Sequence, residues 1–372
     1  MPEFRKHQSP VLPVNQYFSF PARFALLVLT LAASTVFGGE QKSAVKDIAD
    51  DAAFTVTVGP EEHVPFGDFA YCPDGHIAYR KEANGCTLWI AVAGRGTWMF
   101  RGPSFDKLAV VGKGPVLVKG GEHFDRDYAG LNSVLTSADG KELFGFYHAE
   151  FHPQAPKAFP FTASTGLATS ADGGLTWKKV GQVVSGVDGA GLPSAVIHKE
   201  GEEAFVYLYY PDTDQADPKH RAATFLARSP LASDCKPGTW QKWTGKGWGA
   251  PGVQTGAEPV VTAPNGAWKA AMAHVSWNFA LKRWLMVYHS GPAFVAAASE
   301  DGIHFGAPVE IMKVPAWSGQ PGEVFTGYPT LLSPDHGSQS MTGADGYLYF
   351  ARGPSGQSAT GWRRSVHIVP EK

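Results

Sequence analysis

From about Val64 the chain repeats one pattern of apolar and polar positions. An apolar run preceded by Gly leads to a turn. A strand rich in Tyr, Phe or Trp follows, then a polar strand ending in a second turn. The first copy holds FGDFAYCPDG and TLWIAVAGRGTWMF. The second holds AGLNSVLTSADG, ELFGFYHAE and GLATSADGGLTWKKV, and the third GAGLPSAVIHKEG, AFVYLYYPD, ATFLARSP and TWQKW. The fourth is MAHVSWNFALKRWLMVYHS with AFVAAASEDGIHFGAPVEI, and the fifth GYPTLLSPDHG with GYLYFARGP and SVHIVP. No stretch keeps a helical period, so helices are expected to be few. Copies spaced by roughly 50–75 residues suit four-stranded blades with loops, which bury both faces against their neighbours. The expectation is an all-β, five-bladed β-propeller over residues 63–372. Six blades would result if residues 240–270 hide a weak one; that segment reads equally as a long loop.

Composition agrees. With 43 Gly and 28 Pro among 372 residues, turns are frequent. The net charge of −2 leaves no electrostatic footprint for nucleic acid. Residues 1–39 read as a signal peptide: Arg5, Lys6 and Arg23 precede the apolar run Phe24–Phe37, which is short for a membrane span. Export to a secreted or periplasmic location follows, with no membrane association after cleavage. Residues 40–62 read as a tether or outer strand. Cys72 and Cys86 flank a turn-rich stretch and either pair across a hairpin or stay free. No spacing suggests a zinc site.

Ser170-Ala171-Asp172-Gly173-Gly174-Leu175-Thr176-Trp177 fits S-x-D-x-G-x-T-W. It resembles the Asp-box, a structural turn of sialidase-like propellers. Ser299–Phe305 carries a degenerate copy in phase with the repeat. GLPSAV with AFVYLYYPD, FLARSP with TWQKW, and VSWNFALKRWLMVYHS resemble the five-bladed propeller glycosidases of the arabinanase, xylosidase and invertase-like group. The W-x-N-D-P-N-G and R-D-P motifs of its best-known families are missing.

That resemblance implies carbohydrate hydrolysis by paired carboxyl groups, with Asp on the first two blades and Glu later. Asp68, in the first inner run, is the expected general base. Asp127, before the second, orients a partner or tunes its pKa. Glu150, flanked by Tyr147, Phe151 and two histidines, is the expected acid through partial desolvation. Glu258 in GAEPVV competes for that role, and Asp188 and Glu323 occupy similar places. His148, Trp248, Trp268 and Trp317 are candidate sugar contacts, since aromatic faces stack on sugar C–H surfaces. His148, His152 and His274 read either as ordinary core or surface histidines or as groups that line a polar funnel or hold a metal ion. No cofactor is required, though a structural cation in the central channel is compatible with the pattern. Two other readings stand beside this one. An exo-sialidase would need an arginine cluster drawn from Arg80, Arg101, Arg126, Arg283, Arg352 and Arg363. A non-catalytic propeller would bind glycans or proteins without paired acids.

Overall fold

The computed structural model describes residues 54–121, 123–153, 161–187, 189–213, 221–262, 271–315, 323–354 and 358–371. Trp268, Trp317, Asp188 and the N-terminal segment lie outside them. Strand β1 (Phe54–Val64) comes first among the described residues. Blade 1 follows with β2 (Ala78–Glu82), β3 (Gly85–Val92), β4 (Gly96–Gly102) and β5 (Ala109–Val110). Blade 2 holds β6 (Tyr128–Thr136), β7 (Leu143–Phe151), β8 (Thr162–Ser170) and β9 (Lys178–Ser185). Blade 3 holds β10 (Ser194–Glu200), β11 (Glu203–Thr213), β12 (Arg221–Pro230), β13 (Gln241–Trp243) and β14 (Trp248–Pro251). Blade 4 holds β15 (Ala271–Asn278), β16 (Arg283–Ser290), β17 (Ala293–Ser299) and β18 (Val309–Lys313). Blade 5 holds β19 (Val324–Leu332), β21 (Asp345–Pro354) and β22 (Thr360–Pro370), closed on its outer side by β1. The short β20 (Met341–Thr342) pairs in parallel with β15.

The protein is therefore an all-β, five-bladed propeller. Residues 241–251 extend blade 3 and make no sixth blade. Ring closure is mixed: β1 enters the chain first yet pairs with β22, which enters last.

Five apolar cores lie between successive blades. Their origin is the two-residue period of a strand, which sends alternate side chains to opposite faces. In β11, Val206, Leu208 and Tyr210 pack with Leu135, Phe144 and Phe146 of blade 2. Phe205, Tyr207 and Tyr209 turn the other way, onto Val275, Met286 and Tyr288 of blade 4. Both faces are buried, so the strand reads as a nearly continuous apolar run. Hydroxyl and amide side chains stitch the inner strands together around the axis. Ser133 accepts the Ala195 amide at 3.0 Å, and Ser194 accepts that of Val275 at 2.8 Å. Asn132 Oδ1 accepts the His76 amide at 3.1 Å, and Thr330 accepts that of Ile77 at 3.3 Å.

The two Ser-Asp turns are tightly wired. Asp172 Oδ1 accepts the Leu175 and Thr176 amides at 3.0 Å, and Gly174 takes φ +85°, which favours glycine. The indoles of Trp89 and Trp177 both donate to the Gly174 carbonyl. Asp301 Oδ1 likewise accepts the Ile303 and His304 amides at 2.8 Å. Cys72 and Cys86 are buried and unpaired, so the cross-hairpin pairing does not form. Both side chains are taken up in the core between blades 5 and 1.

The segment between β19 and β21 bonds across to the inner strands of blades 1, 2 and 4. Gln339 is buried there. Its Oε1 accepts the Tyr79 amide of blade 1 at 3.0 Å, and its Nε2 donates to the Val134 carbonyl of blade 2 at 2.8 Å. The Trp277 amide of blade 4 donates to Ser340. Gln339→Leu strands two buried backbone groups and should lower the unfolding free energy by about 2–4 kcal/mol. Urea unfolding checks this, and an unchanged midpoint would contradict the bonding described.

Candidate active site

At the opposite end of the inner strands, the chain enters three of them with strained backbone. Leu192, Met272 and Tyr328 have φ of 47°, 57° and 59°. Left-handed backbone in residues with a Cβ persists only where the surroundings enforce it, and it often marks a site. Register shifts accompany two of them, between Ala271 and His274 and between Gly327 and Thr330. Such bulges re-aim side chains. Here the β19 bulge brings the Tyr328 hydroxyl to Asp74, donating to Oδ1 at 3.1 Å.

Asp74 lies in the turn leading into β2 and faces the channel. The Tyr128 hydroxyl, at the start of β6, stands close enough to favour its ionised form, yet makes no hydrogen bond of ordinary geometry. Burial pushes the Asp74 carboxyl above its usual range, and the negative charge of Glu150 pushes it further. Tyr71, Met272 and Tyr328 pack with Phe325 into an apolar wall beside it.

Glu150, near the end of β7, is bracketed by histidines. His148 Nε2 lies 2.9 Å from Oε1 and His152 Nε2 lies 2.6 Å from Oε2. Burial raises the Glu150 carboxyl, but the two histidines outweigh it and hold it at about 2. The same contact with Glu150 raises His152. Asp127 accepts the His152 amide at 2.7 Å and pairs with Arg126 at 3.1 Å. Burial opposes ionisation of Asp127, yet these bonds bring it below its usual range. Phe161 stacks on His152 with ring centres 5.4 Å apart. Deeper in the channel, His76 and His274 face each other at 5.8 Å. Burial takes His76 down to about 4 and His274 well below its ordinary value.

Glu150, Asp127 and His148 thus gather with Asp74 at the channel mouth. Other expected residues fall elsewhere. Asp68 is exposed, because residues 65–77 are not an inner strand but the path from the outer edge of blade 5 to the axis. The acid that reaches the axis is Asp74, which its P-D-G setting disguises as an ordinary turn residue. Glu258 lies by the β13–β14 hairpin at the outer edge of blade 3, its amide bonded to the Trp243 carbonyl. Trp248, in the outermost strand of blade 3, packs against Tyr207, Trp243 and the Arg228 guanidinium. That is blade packing, not a channel surface. Desolvation does not make Glu150 an acid, since the histidines reverse its effect. The arginines do not converge. Arg352 and Arg363 pair with Glu61 and Glu62, Arg283 with Glu300 and Arg80 with Glu82, while Arg101 bonds Thr87. Among the described residues no cluster of three His, Cys, Asp or Glu could hold a metal ion, and no helix is long and apolar enough to cross a membrane.

Solved structures share this architecture. A glycoside hydrolase matches with TM-score 0.52 and 12% identity, over 85% of this chain and 92% of that one. The chain shares the five-bladed fold of propeller glycoside hydrolases. A protein of unknown function from Dyadobacter fermentans matches with TM-score 0.50 and 14% identity, over 81% of this chain and 78% of that one. A thermostable family-43 glycoside hydrolase gives a looser match, with TM-score 0.47 and 14% identity over 82% and 91%. At these identities the likeness is one of fold. No protein-family model matches the chain, and no curated protein matches it in sequence.

Proposed function

We propose that this protein is a glycoside hydrolase acting on an oligosaccharide or polysaccharide at the channel mouth. The observation that carries this reading is a pair of carboxyl groups from neighbouring blades driven in opposite directions. Asp74 is held toward its protonated form and Glu150 in its ionised form. Two carboxyls so separated divide the roles of acid and base. Asp74 gives its proton to the leaving oxygen as the glycosidic C–O bond breaks. Water supplies the new C–O bond, and its proton passes to the Glu150 carboxylate. Asp127 supports Glu150 indirectly by fixing the His152 backbone. The wall of Tyr71, Met272 and Tyr328 offers the apolar face of a sugar a surface, while the Tyr128 hydroxyl offers a polar partner to its hydroxyls. The N-terminal apolar run supports an activity outside the cytoplasm.

The test is sugar release by the chain beginning at about Glu40 from a panel of polysaccharides and aryl glycosides. Asp74→Asn and Glu150→Gln are run alongside. Loss in both, with folding intact, supports the reading. Release unaffected by either variant removes the site. Glycan binding without release from any substrate replaces the enzyme with a binding platform.

A further inference from the structure

Blade 3 reaches into this site through its backbone. The Leu192 amide donates to His148 Nδ1 at 3.1 Å. A nitrogen that accepts a hydrogen bond from an amide carries no proton, so the proton of a neutral His148 lies on Nε2. That nitrogen faces Glu150 Oε1 at 2.9 Å and can only donate to it. The surroundings enforce the arrangement. A Cβ on Gly191 would stand 1.9 Å from His148 Nδ1, so only glycine lets the turn come this close. Leu192 keeps its left-handed backbone in the same turn. Just before the turn, the Ala190 amide bonds the Ala163 carbonyl at 3.0 Å and Thr165 donates to the Ala190 carbonyl at 2.8 Å. The turn is thus anchored to β8 of blade 2.

We propose that His148 is a positioning residue: the Gly191–Leu192 turn of blade 3 fixes it as the Nε2–H tautomer, and this fixed donor orients Glu150 and keeps it a carboxylate. The groups facing Glu150 are then His148 and His152 as donors and Asp74 as the opposing acid, with Asp127 and Arg126 behind His152. The Leu192 strain has a use on this account, since it delivers an amide to an imidazole on another blade. The inference rests on the hydrolase reading for its consequence, but not for its geometry.

Two measurements separate the two claims. In the intact protein labelled with 15N at histidine, the His148 signals are assigned by their loss in His148→Gln. At neutral pH, Nδ1 should be pyridine-like and Nε2 pyrrole-like. The opposite tautomer, or a freely exchanging mixture, overturns the proposal whatever the enzyme does. Kinetics form the second arm. His148→Phe removes both bonds and should lower kcat about 100-fold with KM within about threefold. Glu150 then loses a donor, so the acid limb of the pH profile should rise by about one unit. His148→Gln restores a donor toward Glu150 and should recover at least about tenfold of kcat. A fall in kcat with an unmoved acid limb and no rescue by Gln would make His148 merely structural. If no sugar is released at all, the hydrolase reading fails, and the tautomer alone decides the positioning claim.

Discussion

Asp74→Asn should lower kcat by about a thousandfold while leaving the protein folded. The substitution keeps the shape of the side chain and an oxygen for the Tyr328 hydroxyl, but removes the transferable proton. No other acid among the described residues at the channel mouth can replace it: Glu150 and Asp127 are both held ionised. The pH dependence follows from the directions of the shifts. Wild-type activity should fall as pH rises through the elevated Asp74 value, and fall on the acid side only near about 2, where Glu150 is protonated. Removing the Glu150 charge relieves its repulsion of Asp74, so the alkaline limb of the residual activity of Glu150→Gln should move to lower pH. Stability falls with rising pH as activity does. A carboxyl raised on folding binds more protons in the native state, so its cost to folding grows as pH rises from the ordinary 3.8 through the raised value. Asp74→Asn escapes that cost. Its melting temperature should match wild type below pH 3.8 and exceed it at neutral pH. An active Asp74→Asn, or one less stable at neutral pH than at low pH relative to wild type, would refute this account of the site.

A chain beginning at residue 65 should fail to fold stably, whereas one beginning at residue 54 should fold. β1 runs antiparallel to β22 from Phe54 opposite Pro370 to Val64 opposite Gly361. Phe54 is buried in the core between blades 4 and 5, and Val64 in that between blades 5 and 1. Glu61 pairs with Arg352 and Arg364, and Glu62 pairs with Arg363 at 2.8 Å. Burying one Phe is worth about 2–3 kcal/mol. Adding the lost ladder bonds brings the cost of deletion to about 5 kcal/mol or more. That is a large part of the ~5–15 kcal/mol available to a folded domain. The deletion also exposes β22 as an open edge, which invites aggregation. Solubility and thermal unfolding of the two chains decide it. Equal melting temperatures would show that the ring closes without β1.

The architecture was legible in the sequence because it rests on local rules. A two-residue period, glycine-marked turns and five copies in phase already specify an all-β propeller, since every strand with two apolar faces must lie between two others. The Glu150 neighbourhood was legible for the same reason: residues 148, 150 and 152 alternate along one strand and its extension, so they share a face. Radial position was not legible. Asp68 and Asp74 sit six residues apart in similar settings, and only the path from blade 5 to the axis leaves one exposed and the other in the channel. Trp248 and Glu258 lie in a segment whose strands are too short for a period to show, so their place at the outer edge of blade 3 could not be read either. Proton states were the furthest from reach. The charge on Glu150 depends on His148 and His152, the tautomer of His148 on an amide from blade 3, and the proton on Asp74 on its burial and on the charge of Glu150 from blade 2. Local propensity acts between neighbours in the chain, whereas electrostatics acts between neighbours in space, and the latter exist only once the ring is closed.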